Sequence, residues 1–118
     1  MPFEQHQEKN YSQAAASVFQ AALKATAKLE GRLVTSDAEK LRLEAKFPKV
    51  ILGQTLGERT HLTCEVRPLA EGSTVIVDAY PLDAVERKLM FGARKGVTLT
   101  VVTWFIAHLE HNLGLPTR

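Results

Sequence analysis

Two stretches of strict alternation limit what this chain can fold into. From Lys40 to Phe47, Leu41, Leu43, Ala45 and Phe47 fall on one parity, and Lys40, Arg42, Glu44 and Lys46 on the other. From Arg59 to Arg67 the pattern returns: Leu62, Cys64 and Val66 against His61, Thr63, Glu65 and Arg67. Successive side chains of a strand point to opposite faces, so each stretch has one dry and one wet side. Half-polar strands build an antiparallel sheet with one solvated face, whereas a buried parallel sheet needs apolar residues at both parities. The dry face must be covered, and helices are the available cover.

The remaining elements follow from period and punctuation. Ser12 is placed to cap a first helix, in which Ala15, Val18, Phe19, Ala22, Leu23, Ala25 and Leu29 keep helical spacing. Gly31 suits a left-handed stop after its last turn. Seven alanines between residues 14 and 27 are explained by helix propensity. Arg32 to Thr35 reads as a short strand, and Ser36 to Glu39 as a turn. Residues 50–57, with two glycines, read as a loop with a short extended piece. Residues 68–73 form a hairpin connection into a strand from Thr74 to Tyr80. After Pro81, Leu82, Val85, Leu89 and Met90 suggest a short helix starting near Asp83. Val97, Leu99 and Val101 alternate locally like a strand. Val102, Phe105, Ile106, Leu109 and Leu113, followed by Gly114 and Pro116, favour a helix over about residues 94–113. An extra strand over residues 3–9 fits before the first helix.

The expected architecture is therefore one α+β domain over residues 1–118. It has a four- or five-stranded antiparallel sheet covered by an N-terminal and a C-terminal helix. The chain's 118 residues, 45% hydrophobic and 24% charged, suit a single globular domain. Fifteen basic against thirteen acidic residues give a net charge of +2, which speaks against a dedicated nucleic-acid binder. The lone Cys64 rules out an internal disulfide framework and fits a cytoplasmic protein. No secretory signal stands at the start. The longest charge-free run, Gly96 to Leu109, is shorter than the ~20 apolar residues of a membrane span.

Several local features carry a resemblance. They are Val18-Phe19-Gln20-Ala21-Ala22-Leu23 in the first helix, Gly57-Glu58 before a strand, Gly72-Ser73-Thr74-Val75 at a hairpin, and Gly92 before the last helix. In the order strand, helix, four strands, helix, the chain resembles TATA-box-binding-protein-like and helix-grip domains. Within that class it looks like small, mostly uncharacterised bacterial proteins. The resemblance is to a topology, and topology hosts many roles. It implies an apolar ligand held between the sheet and the last helix.

Sites for chemistry are sparse. His108 and His111 share a helix face, but two ligands do not make a zinc site, and a place near the helix C-terminus explains them. His61 and Cys64 point to opposite faces of one strand. Between Leu62 and Val66, Cys64 reads as a buried, inert thiol. Asp37, Glu39, Asp78 and Asp83 are expected in turns or at element ends as caps. Lys40, Arg42, Lys46 and Arg67 mix with Glu44 and Glu65 on the wet face, which reads as solvated surface. No metal or other cofactor is implied.

Two places remain. The loop Gly92-Ala93-Arg94-Lys95-Gly96 puts two cations before a helix, where an anion or nucleotide would be favoured, although it matches neither phosphate-binding fingerprint. The last helix carries a second stripe, Val97, Val101, Trp104, His108, His111 and Leu115, beside its core stripe. Its cover would be the short helix after Pro81, a second copy of this chain, or a ligand. The leading expectation is a non-enzymatic binding or interaction module. It would use Phe19, Leu43, Leu62, Trp104, Phe105 and His108 to hold an apolar small molecule or a second subunit. The alternative is anion binding by Gly92, Arg94, Lys95 and Gly96.

Overall fold

A computed structural model describes residues 4–89 and 96–115. The elements are β1 (Gln5–Tyr11), α1 (Ala15–Lys28), β2 (Arg32–Asp37), β3 (Arg42–Phe47), β4 (Val50–Ile51), β5 (Gln54–Thr55), β6 (Arg59–Leu69), β7 (Gly72–Leu82) and α2 (Val97–Asn112). Five strands form one antiparallel sheet in the order β1-β7-β6-β3-β2. The expected α+β architecture is present, with the expected first strand as β1. Both helices pack on one face of the sheet and against each other.

Alternation decides which face they cover. Leu43, Ala45 and Phe47 of β3, Leu62, Cys64 and Val66 of β6, and Val75, Val77 and Ala79 of β7 are all buried. They meet Val18, Phe19 and Ala22 of α1 and Val101, Val102, Phe105 and Leu109 of α2 in one continuous core. Burying each large side chain there contributes about 1.5–3 kcal/mol. β4 and β5 make a separate small hairpin that drives Ile51 into that core.

The boundaries show where local chemistry overrode the periodicity. Ser12 does not cap α1; the cap position is Ala14, without a side-chain hydrogen bond. The chain at Tyr11 still runs against β7, where a Cβ on Gly72 would lie 2.0 Å from the Tyr11 carbonyl oxygen. The Ser73 hydroxyl then donates to the Gln13 carbonyl at 3.1 Å, so the helix starts later. At the other end the left-handed residue is Glu30 (φ 64°), not Gly31. The Gly31 and Glu30 N–H groups close the end of α1 onto Thr26 and Ala27. The Glu30 carboxylate accepts from the Leu52 N–H at 2.7 Å, which holds the β4–β5 hairpin and gives that strained residue a purpose. Gly31 serves by its size, because a Cβ there would sit 2.6 Å from the Phe47 ring.

β3 begins at Arg42, not Lys40. Asp37 accepts from the Glu39 and Lys40 N–H groups, and Leu41 turns left-handed, so the turn moves two residues along the chain. The short helix expected near Asp83 is absent from residues 83–89. Asp83 Oδ1 accepts from the Val85 and Arg87 N–H groups at 2.9 Å each, and Lys88 bridges back to Leu82. A side-chain acceptor in reach of two backbone donors favours this turn over a helical start. Met90 lies outside the described residues. Asp78, expected near a turn, sits within β7 and pairs with His6.

α2 starts at Val97, after a left-handed Gly96 (φ 84°) without a side-chain cap. Gly114 (φ 77°) ends it as expected, its N–H meeting the His111 carbonyl. No helix among the described residues is long and apolar enough to cross a membrane.

Candidate functional site

The space between the sheet and α2 is walled by side chains of four elements. Phe19 comes from α1, Leu43 and Leu62 from the sheet strands β3 and β6, and Phe105 from α2. All four are buried at 1% exposure or less. Ala45 pairs with Leu62 and Leu43 with Cys64 across the β3–β6 ladder, which fixes the apolar floor. Trp104 is half-buried against this cluster, and His108 is half-buried on the same helix. Burial pushes the His108 imidazole below its ordinary pKa, helped by the charges of Lys28 and His111. Lys28 belongs to α1, so this end of the second stripe faces the other helix.

The second stripe is thus not bare. Val97 and Val101 are buried, and Leu115 packs against the core. The helix beside α2 is α1, whose alanines allow close approach, and not a helix after Pro81.

Polar atoms intrude at one end of this space. Thr60 pairs with Phe47 on one side and Pro81 on the other, which places it on the inner face. It is fully buried, and its hydroxyl has no hydrogen-bond partner among the described residues. Thr98, in the first turn of α2, is also buried, as is Glu58, next to the start of β6. A cavity of about 210 Å³ lies at this end of the sheet, lined by Gly57, Glu58, Arg59, Leu82 and Leu89 among others. Thr60 follows Arg59 directly. Leaving a buried hydroxyl unpaired costs about 1–3 kcal/mol, so the arrangement calls for a reason.

At the opposite end Tyr11 and Glu110 satisfy each other, while the buried Gln13 Oε1 has no hydrogen-bond partner among the described residues. The Tyr11 hydroxyl donates to Glu110 Oε2 at 2.8 Å and Lys9 approaches the same oxygen at 3.5 Å, tying β1 to α2. Burial first, then the Glu110 hydrogen bond, raises the Tyr11 pKa. Cys64 is buried as expected, and burial pushes its thiol pKa up to about 12.

The wet face holds what the sequence reading missed. His61 faces outward as expected, yet it is only 8% exposed. Its ring stacks on Tyr80, with centroids 4.6 Å apart, and its Nε2 lies 2.5 Å from Glu44 Oε2. That hydrogen bond holds the Glu44 carboxyl below its ordinary range. Only the cross-strand register brings Tyr80 opposite His61, and register cannot be read from a single sequence. Among the described residues no group of three or more His, Cys, Asp and Glu side chains is arranged to hold a metal ion. Of the anion loop, Gly92, Arg94 and Lys95 lie outside the described residues, and Gly96 forms the N-cap of α2.

No protein-family model and no curated protein matches the chain. Solved structures do. Ara h 8.0201 superposes with a TM-score of 0.61 at 11% identity, covering 94% of this chain and 97% of its own. The di-domain ARO/CYC protein BexL, from the BE-7585A biosynthetic pathway, gives 0.59 at 13% identity. That match covers 94% of this chain and 46% of BexL, so the chain spans about half of the di-domain protein. TTHA0849 from Thermus thermophilus gives 0.54 at 16% identity, covering 93% of this chain and 96% of its own. At these identities the likeness shows the fold alone: an α+β helix-grip fold.

Proposed function

We propose that the protein is a small-molecule-binding module. It takes an apolar ligand bearing one hydrogen-bonding group between the inner sheet face and α2. The observation that carries this reading is the Thr60 hydroxyl, fully buried beside an apolar core and without a hydrogen-bond partner among the described residues. A ligand polar atom would complete it. Phe19, Leu43, Leu62 and Phe105 would supply the apolar walls, with Trp104 and His108 on the helix that must give way. These side chains fill the space in the free protein, so binding requires α2 to shift. Its N-terminal end suits that movement: Gly96 provides no side-chain cap and the first turn carries no acidic residue. The helix-grip likeness and the cavity at that end support entry there.

Thr60→Val tests the reading, because it keeps the shape and removes the hydroxyl. Free protein should gain about 1 kcal/mol of stability, since an unpaired polar group disappears. Uptake of anilinonaphthalene sulfonate, an apolar probe with hydrogen-bond acceptors, should weaken in the same variant. Native mass spectra of freshly purified protein should show added mass that leaves on activation. Bare protein that takes up no probe, or a probe affinity indifferent to Thr60→Val, would refute the proposal.

A further inference from the structure

The outer face of the sheet carries a larger cavity than the inner end does. It measures about 480 Å³ and spans β1, β7 and β6, with Glu4, His6, His61, Thr63, Asp78 and Tyr80 in its lining. The strand register sets this up. His6, Asp78 and Thr63 form one cross-strand row, and Tyr80 lies opposite His61 in the next. His6 sits between two carboxylates, with Nδ1 2.5 Å from Asp78 and Nε2 2.9 Å from Glu8.

Two observations point to the same ligand chemistry. The first is the charge of the lining: Glu4 and Asp78 line the cavity, and Glu8 and Glu44 stand behind its two histidines. The second is a contact that the chain itself already makes there. The Lys88 ammonium lies 5.2 Å from the centroid of the Tyr80 ring and forms an ion pair with Glu4. An aromatic face beside a carboxylate is a seat for an organic cation. Here the chain's own amine takes that seat, on a tether from the turn after β7. The ion pair is partly exposed at both ends, so it is held weakly and a competitor can displace it. His61 stacks on Tyr80 and is itself held by Glu44, so the ring is fixed before any ligand arrives. The cavity is far larger than one ammonium head requires.

We propose that this outer-face cavity binds a small organic ammonium ion, with Tyr80 and Glu4 receiving the cationic head, Asp78 adding charge, and Lys88 acting as a tethered competitor. The site is separate from the inner-face site and does not depend on it.

The test is an amide NMR titration of the intact chain with phenethylammonium chloride, with the neutral phenethyl alcohol as control. The ammonium should shift the amides of His6, His61, Asp78 and Tyr80 saturably, and the alcohol should not. Lys88→Met removes the competitor and should tighten binding by about tenfold. Asp78→Asn should weaken it, with a well-dispersed spectrum confirming that each variant is folded. Equal shifts from the alcohol, shifts confined to inner-face residues such as Thr60, or an affinity unchanged or weakened by Lys88→Met would each overturn the proposal.

Discussion

His61 and Leu62 are neighbours on β6, both nearly buried, and they are held by different physics. Leu62 is kept by the apolar area it removes from water and by the packed side chains around it. His61 is kept by a carboxylate, a stacked ring and the strands on either side. The two faces of the sheet differ in the same way. In the free protein the inner face is sensitive to side-chain volume while α2 stays in place, whereas the outer face tolerates volume but responds to charge and pH. A single orphan hydroxyl on the inner face is therefore conspicuous, whereas a polar atom on the outer face would not be.

The largest expected effect is on the inner face. Leu62→Ala should cost about 2–5 kcal/mol in urea unfolding, from lost burial plus the cavity left behind. Thr63→Ala, one residue along on the outer face, should cost about 0.5 kcal/mol or less. Equal losses would break the comparison. Gly31→Ala comes next, at about 1–3 kcal/mol, because the new methyl meets the Phe47 ring. A small loss there would mean that Phe47 can move, and the inner face would be softer than its burial implies. Tyr11→Phe should cost about 1 kcal/mol through loss of the hydrogen bond to Glu110, and no more if the ring keeps its place.

The smallest effects are in pH dependence, and they differ in sign. Hydrogen bonds to Asp78 and then Glu8 raise the His6 pKa above its ordinary 6.5. Its contribution to stability is fully present below pH 6.5 and is lost as pH rises through the folded-state value. His108 is lowered, mainly by burial, so its protonation penalises the folded state at acid pH and the penalty vanishes above 6.5. Histidine proton NMR should show His6 titrating above 6.5 and His108 below it. The reverse order would remove the electrostatic half of the contrast.

Period carried most of the fold. Alternation in β3 and β6 named the dry face, and the spacing in α1 and α2 named the helices that cover it. The errors came where one side chain overrode periodicity: Asp83 turning 83–87, Asp37 moving a turn, Glu30 taking the left-handed position expected of Gly31. The candidate site was legible only in its apolar part. Phe19, Leu43, Leu62 and Phe105, expected to hold a ligand or a second subunit, are core residues of the free protein, and core positions have a period. Thr60 did not stand out, because a threonine beside a β-strand alternation looks ordinary until its lack of a partner is seen. The His61–Tyr80–Glu44 contact was illegible for a related reason: it joins three strands, and register is a tertiary property.

The most direct measurement is an amide NMR titration of the intact chain with anilinonaphthalene sulfonate, run beside Thr60→Val. Saturable shifts are expected at Thr60, Leu62, Val101 and Phe105, with a change in Trp104 fluorescence and weaker binding in the variant. Shifts confined to the outer face, or the same affinity in both proteins, would contradict the inner-face site.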